Sequence, residues 1–182
     1  MRQLRVKSDL LIEELRNTLI FQNLTVDELK RIAGICEHWE YEGGEEVVTQ
    51  DSVSRVLYVL LDGTVDIKVR GVEATGVTVS AIQKGDVFGE AGLFMDVRRT
   101  ASAIANGPIR FVSFNRDPFF AYCNDNPRAG LKIFTFVIYS LLRKLGATSK
   151  GLALERESMV TPEDLERLKD LFPRSIEEIF KR

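Results

Sequence analysis

The stretch Gly85 to Ala103, GDVFGEAGLFMDVRRTASA, restricts what this chain can fold into more tightly than anything else in it. A glycine turn carrying an acid, Phe88-Gly89-Glu90, is followed by a double arginine and small residues, Arg98-Arg99-Thr100-Ala101-Ser102. Gly89 lets the backbone approach a ligand with no Cβ in the way. Ala91 to Met95 is small and apolar, without proline or a β-branched residue, and can form one short helical turn. The first N–H groups of such a turn have no internal partner and can point at an anion. Arg99 can fork onto phosphate oxygens through charge-assisted hydrogen bonds. Glu90 is an acceptor with nothing to offer a phosphate, and suits a sugar hydroxyl. An acid and an arginine nine residues apart, bridged by a helical turn, describe a pocket for a phosphate joined to a ribose.

At these residues the chain resembles the cyclic nucleotide-binding domains of catabolite activator proteins and cyclic-nucleotide-dependent kinases. That family's phosphate-binding cassette runs F-G-E, a small residue, Leu, a variable turn, then R-[AST]-A-[ST]. Here it reads Phe88-Gly89-Glu90-Ala91-Gly92-Leu93, then Arg99-Thr100-Ala101-Ser102. Gly44-Glu45, Leu57-Tyr58 and Gly63 sit where the family keeps its glycines and paired hydrophobics, so the resemblance covers roughly residues 17 to 145. It implies a ligand site of Phe88, Gly89, Glu90, Ala91, Arg99, Thr100 and Ala101, with Glu90 on the ribose 2′-hydroxyl and Arg99 on the cyclic phosphate. Ile67 and Val79 are candidates for an apolar wall against the base. Two positions depart from the pattern. Arg98 stands where the family often has proline, which places its charge at the pocket rim. Asp51 stands where the family usually has glycine, and Asp tolerates a left-handed backbone better than most residues. The Thr100 hydroxyl could bond the phosphate or the 2-amino group of a syn guanine, as in cGMP-dependent kinases. Both cAMP and cGMP therefore stay open as ligands.

Composition excludes other chemistries. His38 is the one histidine, which rules out a histidine metal cluster or a Ser-His-Asp triad, and no catalytic constellation appears. No metal or cofactor is expected. Cys36 and Cys123 lie far apart and read as small hydrophobes in a reducing compartment. A net charge of −2 leaves no general footprint for nucleic acid. Glu13 and Glu14 interrupt the apolar run after the basic N-terminus, so no signal peptide is read there. The longest apolar run, Ile133 to Leu142, is too short to span a bilayer. The expectation is a cytoplasmic protein.

Along the chain, Leu11, Leu15 and Leu19 make a helical stripe. Thr25 with Glu28 forms a capping box, and a helix is predicted from Thr25 to about His38. Residues 1–40 are thus read as N-terminal helices. Short strands follow: Val47-Val48, the apolar run Val56 to Leu61, a hairpin turn at Asp62-Gly63, then alternation over Val65, Ile67 and Val69. After a loop at Gly71 to Gly76, Val77, Val79 and Ala81 resume it. The fold class read from residues 41–115 is α+β, an antiparallel β-roll closed as a jelly-roll-like barrel, flanked by helices. Residues 116–157 form a hinge around Pro118 to Pro127 and a long C-terminal helix. Leu131, Phe134, Ile138, Leu141, Leu145, Thr148 and Leu152 recur at coiled-coil spacing, which suggests a homodimer through that helix. Packing on the chain's own barrel is the alternative. The resemblance implies that this helix supplies a lid over the base, for which Phe136, Tyr139, Leu142 and Arg143 are candidates among which the sequence does not choose. Residues 158–182 read as two short amphipathic helices.

The resemblance implies a regulatory protein and not an enzyme. About 25 residues follow the long helix, too few for a helix-turn-helix domain, so no DNA binding is expected. Two functions remain. One is a stand-alone sensor of cAMP or cGMP signalling through an unidentified protein partner. The other is a degenerate domain serving as an interaction scaffold or holding another ligand, such as a cyclic dinucleotide.

Overall fold

The structure, a computed structural model, describes residues 1–4, 8–70 and 77–152. The predicted loop at 71–76 and the tail helices of 158–182 lie outside the described residues. Among these, helices α1 (Ser8–Arg16) and α2 (Val26–Ala33) precede the strands β2 (Glu37–Tyr41), β3 (Glu46–Val48), β4 (Val56–Asp62), β5 (Thr64–Val69) and β6 (Val77–Gln83), with a two-residue strand β1 (Arg2–Gln3) before α1. Then come β7 (Val87–Phe88), a five-residue helix α3 (Glu90–Phe94), β8 (Ser102–Ala105), β9 (Ile109–Asn115), α4 (Arg116–Asp125) and α5 (Pro127–Leu152).

The strands form two antiparallel sheets, β1-β2-β9-β4-β7 and β3-β8-β5-β6. This corrects the expected closed barrel. Closure requires edge strands to pair across from one sheet to the other. The five-stranded sheet offers only the two-residue edges β1 and β7, and neither β3, three residues long with a register shift between Glu46 and Val48, nor the seven-residue edge β6 pairs with them. The α+β class stands, as two open sheets flanked by helices.

Strand alternation sorts the side chains into two apolar clusters. Leu57, Val59, Val112 and Phe114 of β4 and β9 face the helices and pack with Leu15, Leu29, Phe119, Ile133 and Val137. Leu60, Ile109 and Phe111 of the same strands face the second sheet and meet Val48, Val65, Ile82, Ala103 and Ala105. The five-stranded sheet therefore separates a helix-covered core from an inter-sheet core.

The capping box is present, with Thr25 Oγ1 accepting from the Glu28 N–H at 3.3 Å and Glu28 Oε2 accepting from the Thr25 N–H at 2.7 Å. The helix it starts ends at Ala33, well short of His38. His38 is instead buried in β2, paired with Val112 of β9. The run Glu37-His38-Trp39-Glu40-Tyr41 alternates as a strand does, and the pairing with β9 overrides helix propensity there. Cys36 accordingly precedes a strand and does not sit in a helix. Across the expected hinge, α4 occupies most of Pro118 to Pro127, and the chain breaks at Asn126 before α5 begins. In α5 the buried face is Ile133, Val137 and Ser140, so the predicted seam splits. Leu131, Ile138 and Leu145 are exposed, while Phe134 and Leu141 pack on the helix-covered core.

Candidate functional site

At one end of the space between the sheets, side chains give way to a cavity of about 280 Å3. Val48, Ile67, Ser80, Ile82 and Ala103 of the four-stranded sheet form one wall, and residues 88–92 and 97–101 form the other. Of the residues singled out from sequence, Phe88, Gly89, Glu90, Ala91, Arg99, Thr100, Ala101 and Ile67 all line it. Val79 does not. It lies on β6, the exposed edge strand, with more than half its surface open to solvent.

The local fold explains the convergence. Gly89 adopts φ +83°, and a Cβ there would lie 2.7 Å from Val56 O and 3.0 Å from the Arg99 guanidinium. Gly92 has still less room: a Cβ would fall 2.3 Å from Ser54 O and 2.8 Å from Arg99 Nη2. These two glycines let the guanidinium lie flat against α3. Arg99 donates from Nη1 to Gly89 O (2.9 Å) and from Nη2 to Val56 O (2.9 Å) and Ser54 Oγ (3.1 Å). It is 8% exposed, and its Nε–H is buried with no hydrogen-bond partner among the described residues. Burial lowers its pKa from the ordinary value, opposed by Tyr58 and Glu90. An arginine nevertheless stays charged at neutral pH, so the cavity wall holds a desolvated cation with donor capacity left. Asp51, at φ +65°, takes the left-handed backbone expected of it, and its carbonyl accepts from exposed Arg98 at 3.0 Å.

Glu90, the first residue of α3, is 6% exposed. Its Oε1 is ion-paired with Lys144 of α5, and the same ammonium donates to Val87 O at 2.6 Å. Next to it Arg143 pairs with Asp86. Of the lid candidates, Phe136, Tyr139, Leu142 and Arg143 are not among the cavity residues, whereas Lys144 is. Sequence reasoning missed it by following the exposed leucine stripe. The buried face Ile133, Val137, Ser140 continues at a four-residue step to Lys144, and that spacing was the available signal.

A family model described as the cyclic nucleotide-binding domain matches residues 38–126. The matched stretch, just under half of the chain, is a domain of this family. The solved structures it resembles include a cyclic nucleotide-binding domain from Methylobacillus flagellatus KT, 15% identical with a TM-score of 0.76, covering 88% of this chain and 92% of that one. Another is a putative cyclic nucleotide-binding protein from Geobacter metallireducens GS-15, 28% identical with a TM-score of 0.61, covering 73% and 96%. Among curated relatives, the cGMP-dependent protein kinase egl-4 of Caenorhabditis briggsae is 30% identical over 118 residues, 63% of this chain and 16% of the kinase. The chain thus spans about a sixth of that relative's length.

The domain's cassette is tied to the helices at a second point. Asp96 receives Arg55 through two bonds (2.8 and 2.9 Å) and Arg116 of α4 at 2.7 Å, and Arg116 also donates to Gly92 O at 2.8 Å. These contacts, the Arg55 bonds foremost, hold the Asp96 carboxyl below its usual range. Phe94 of α3 meets Phe120 of α4 edge to face and Phe134 of α5 at a tilt, with ring centres 6.0 and 5.9 Å apart. No helix among the described residues is long and apolar enough to cross a membrane.

Proposed function

We propose that the cavity binds a cyclic mononucleotide, cAMP or cGMP, and that the domain acts as a sensor regulating a protein partner. The observation that carries this reading is the convergence of buried Arg99 and buried Glu90 on one small cavity. The cation takes the cyclic phosphate and the carboxylate takes the ribose 2′-hydroxyl. Gly89 contributes no side-chain cap to α3, which leaves the first N–H groups of that turn to the phosphate. Phe88, Ala91, Thr100 and Ala101 close around the sugar-phosphate, and Ile67, not Val79, offers apolar contact to the base. At about 280 Å3 the cavity lies at the small end of ligand pockets, which run roughly 300–1,000 Å3. That size favours a mononucleotide over a cyclic dinucleotide. The exposed Leu131, Ile138 and Leu145, seven residues apart on α5, support a homodimer through that helix.

A second reading, an interaction scaffold with no nucleotide, has one observation in its favour. Three donors of Arg99 are already spent on the protein, and Glu90 is already paired with Lys144. Calorimetric titration with cAMP, cGMP and a cyclic di-purine nucleotide separates the readings. A sensor binds one mononucleotide at micromolar Kd or tighter, about −8 kcal/mol. Silence with all three ligands supports the scaffold.

A further inference from the structure

We infer that Lys144 is a positioning residue for Glu90, and that discrimination for a ribose over a deoxyribose in this pocket depends on α5. The inference rests on the nucleotide reading of the cavity.

Glu90 sits at the first position of a short helix, almost fully buried. A buried carboxylate is costly unless it is paired and hydrogen-bonded. Its ion-pair partner does not come from the cassette. Arg99 directs three hydrogen bonds to Gly89 O, Val56 O and Ser54 Oγ and interacts with Glu90 only at longer range. The partner is Lys144, fifty-four residues away, reaching over from α5 to Oε1. The ammonium is gripped from a second direction by Val87 O, and one residue earlier Arg143 binds Asp86 in the turn before β7. Two adjacent basic residues of α5 therefore land on two acids four residues apart, of which Glu90 lines the cavity.

The consequence for the pocket is orientational. An ionised carboxylate offers about four lone-pair sites. Lys144 consumes acceptor capacity at Oε1 and holds the group in one rotamer, which leaves the rest directed for a hydroxyl. A site built to bond a hydroxyl rejects an analogue lacking it more strongly the better its acceptor is held. Without Lys144 the carboxylate loses both its charge partner and its direction.

The test compares each cyclic mononucleotide with its 2′-deoxy analogue by calorimetry on the full chain, for wild type, Lys144→Met and Lys144→Arg, with thermal melts as a check on folding. The wild type should prefer the ribo form by about 10- to 100-fold. Lys144→Met should shrink that ratio to within about threefold, and Lys144→Arg should restore most of it, because a second cation keeps the pair. If Lys144→Met weakens both ligands alike and keeps the wild-type ratio, Lys144 is merely structural and the inference is overturned. A wild type that binds nucleotide without discriminating the two sugars also overturns it, while the nucleotide reading survives. A wild type that binds neither form removes the nucleotide reading itself, and the inference with it.

Discussion

The two sheets of this domain solve different problems. The five-stranded sheet is buried against helices on one face and against its partner sheet on the other; β4 is almost wholly apolar, and β4 and β9 are buried along most of their length. The four-stranded sheet has half-buried or exposed residues along β5 and β6, and its inner face lines the cavity. Around the first sheet burial is achieved by volume. Around the cavity it is achieved by pairing: Arg99, Glu90 and Asp86 are each under a tenth exposed, and each has specific partners. Apolar packing accepts many residues of the right size, whereas a buried charge accepts few substitutes. The stable half of the molecule thus tolerates chemical variation that the cavity half does not.

Breaking the first half should cost the most. Phe114, fully buried against Phe21 and Phe119, has ring centres 5.5 and 5.7 Å from theirs. Phe114→Ala should destabilise the fold by about 3–5 kcal/mol, read as a lower urea midpoint with unchanged slope. Next in size is Gly92→Ala, which forces a Cβ against Ser54 O and the Arg99 guanidinium. Overpacking of this kind costs about 1–3 kcal/mol, and here nucleotide affinity should fall with it. Retained affinity would show that the guanidinium need not lie flat on α3.

A smaller effect sharpens the contrast from the helical side. His38 is buried in β2, its ring nitrogens have no hydrogen-bond partners among the described residues, and burial lowers its pKa, with Glu14 acting against this. The unfolded chain takes up a proton at about pH 6.5, where the fold still refuses it. Stability contributed by neutral His38 is therefore complete above that value and is lost as pH falls from there towards the folded pKa. Between about pH 7.5 and pH 5.5 the wild type should lose more of its Tm than His38→Leu does, by a few °C at this chain length. Equal slopes would mean that Glu14 compensates the charge. The smallest effect on folding belongs to the exposed stripe of α5. Ile138→Asp should change monomer stability by less than about 0.5 kcal/mol, yet shift a dimer to monomer in sedimentation. An unchanged sedimentation coefficient would leave α5 as a helix packed only on its own domain.

How much of this was legible in the sequence follows the same division. The cassette was readable because Gly89, Glu90 and Arg99 are close in sequence and each has a steric or charge requirement. Strand alternation was readable in β5, and β4 was readable as a continuous apolar run. Sheet closure was not, because it depends on whether the edges β1 and β7 of one sheet meet β3 and β6 of the other, which no local pattern encodes. His38 was misplaced because the helix-start signal at Thr25 is local, whereas the strand that ends the helix exists only through pairing with β9. Lys144 was missed because the exposed leucine stripe was followed in place of the buried face of α5 that leads to it, and its partner lies fifty-four residues back in the chain.

The central claim is that Arg99 binds the cyclic phosphate, and the most direct test is calorimetry on Arg99→Ala with whichever nucleotide the wild type prefers. Circular dichroism should verify the fold, since Arg99 also holds three protein acceptors. The account predicts a loss of about 2–5 kcal/mol in binding free energy, as for truncation of one partner of a buried charge pair. A folded Arg99→Ala variant that binds the nucleotide as tightly as wild type would contradict it.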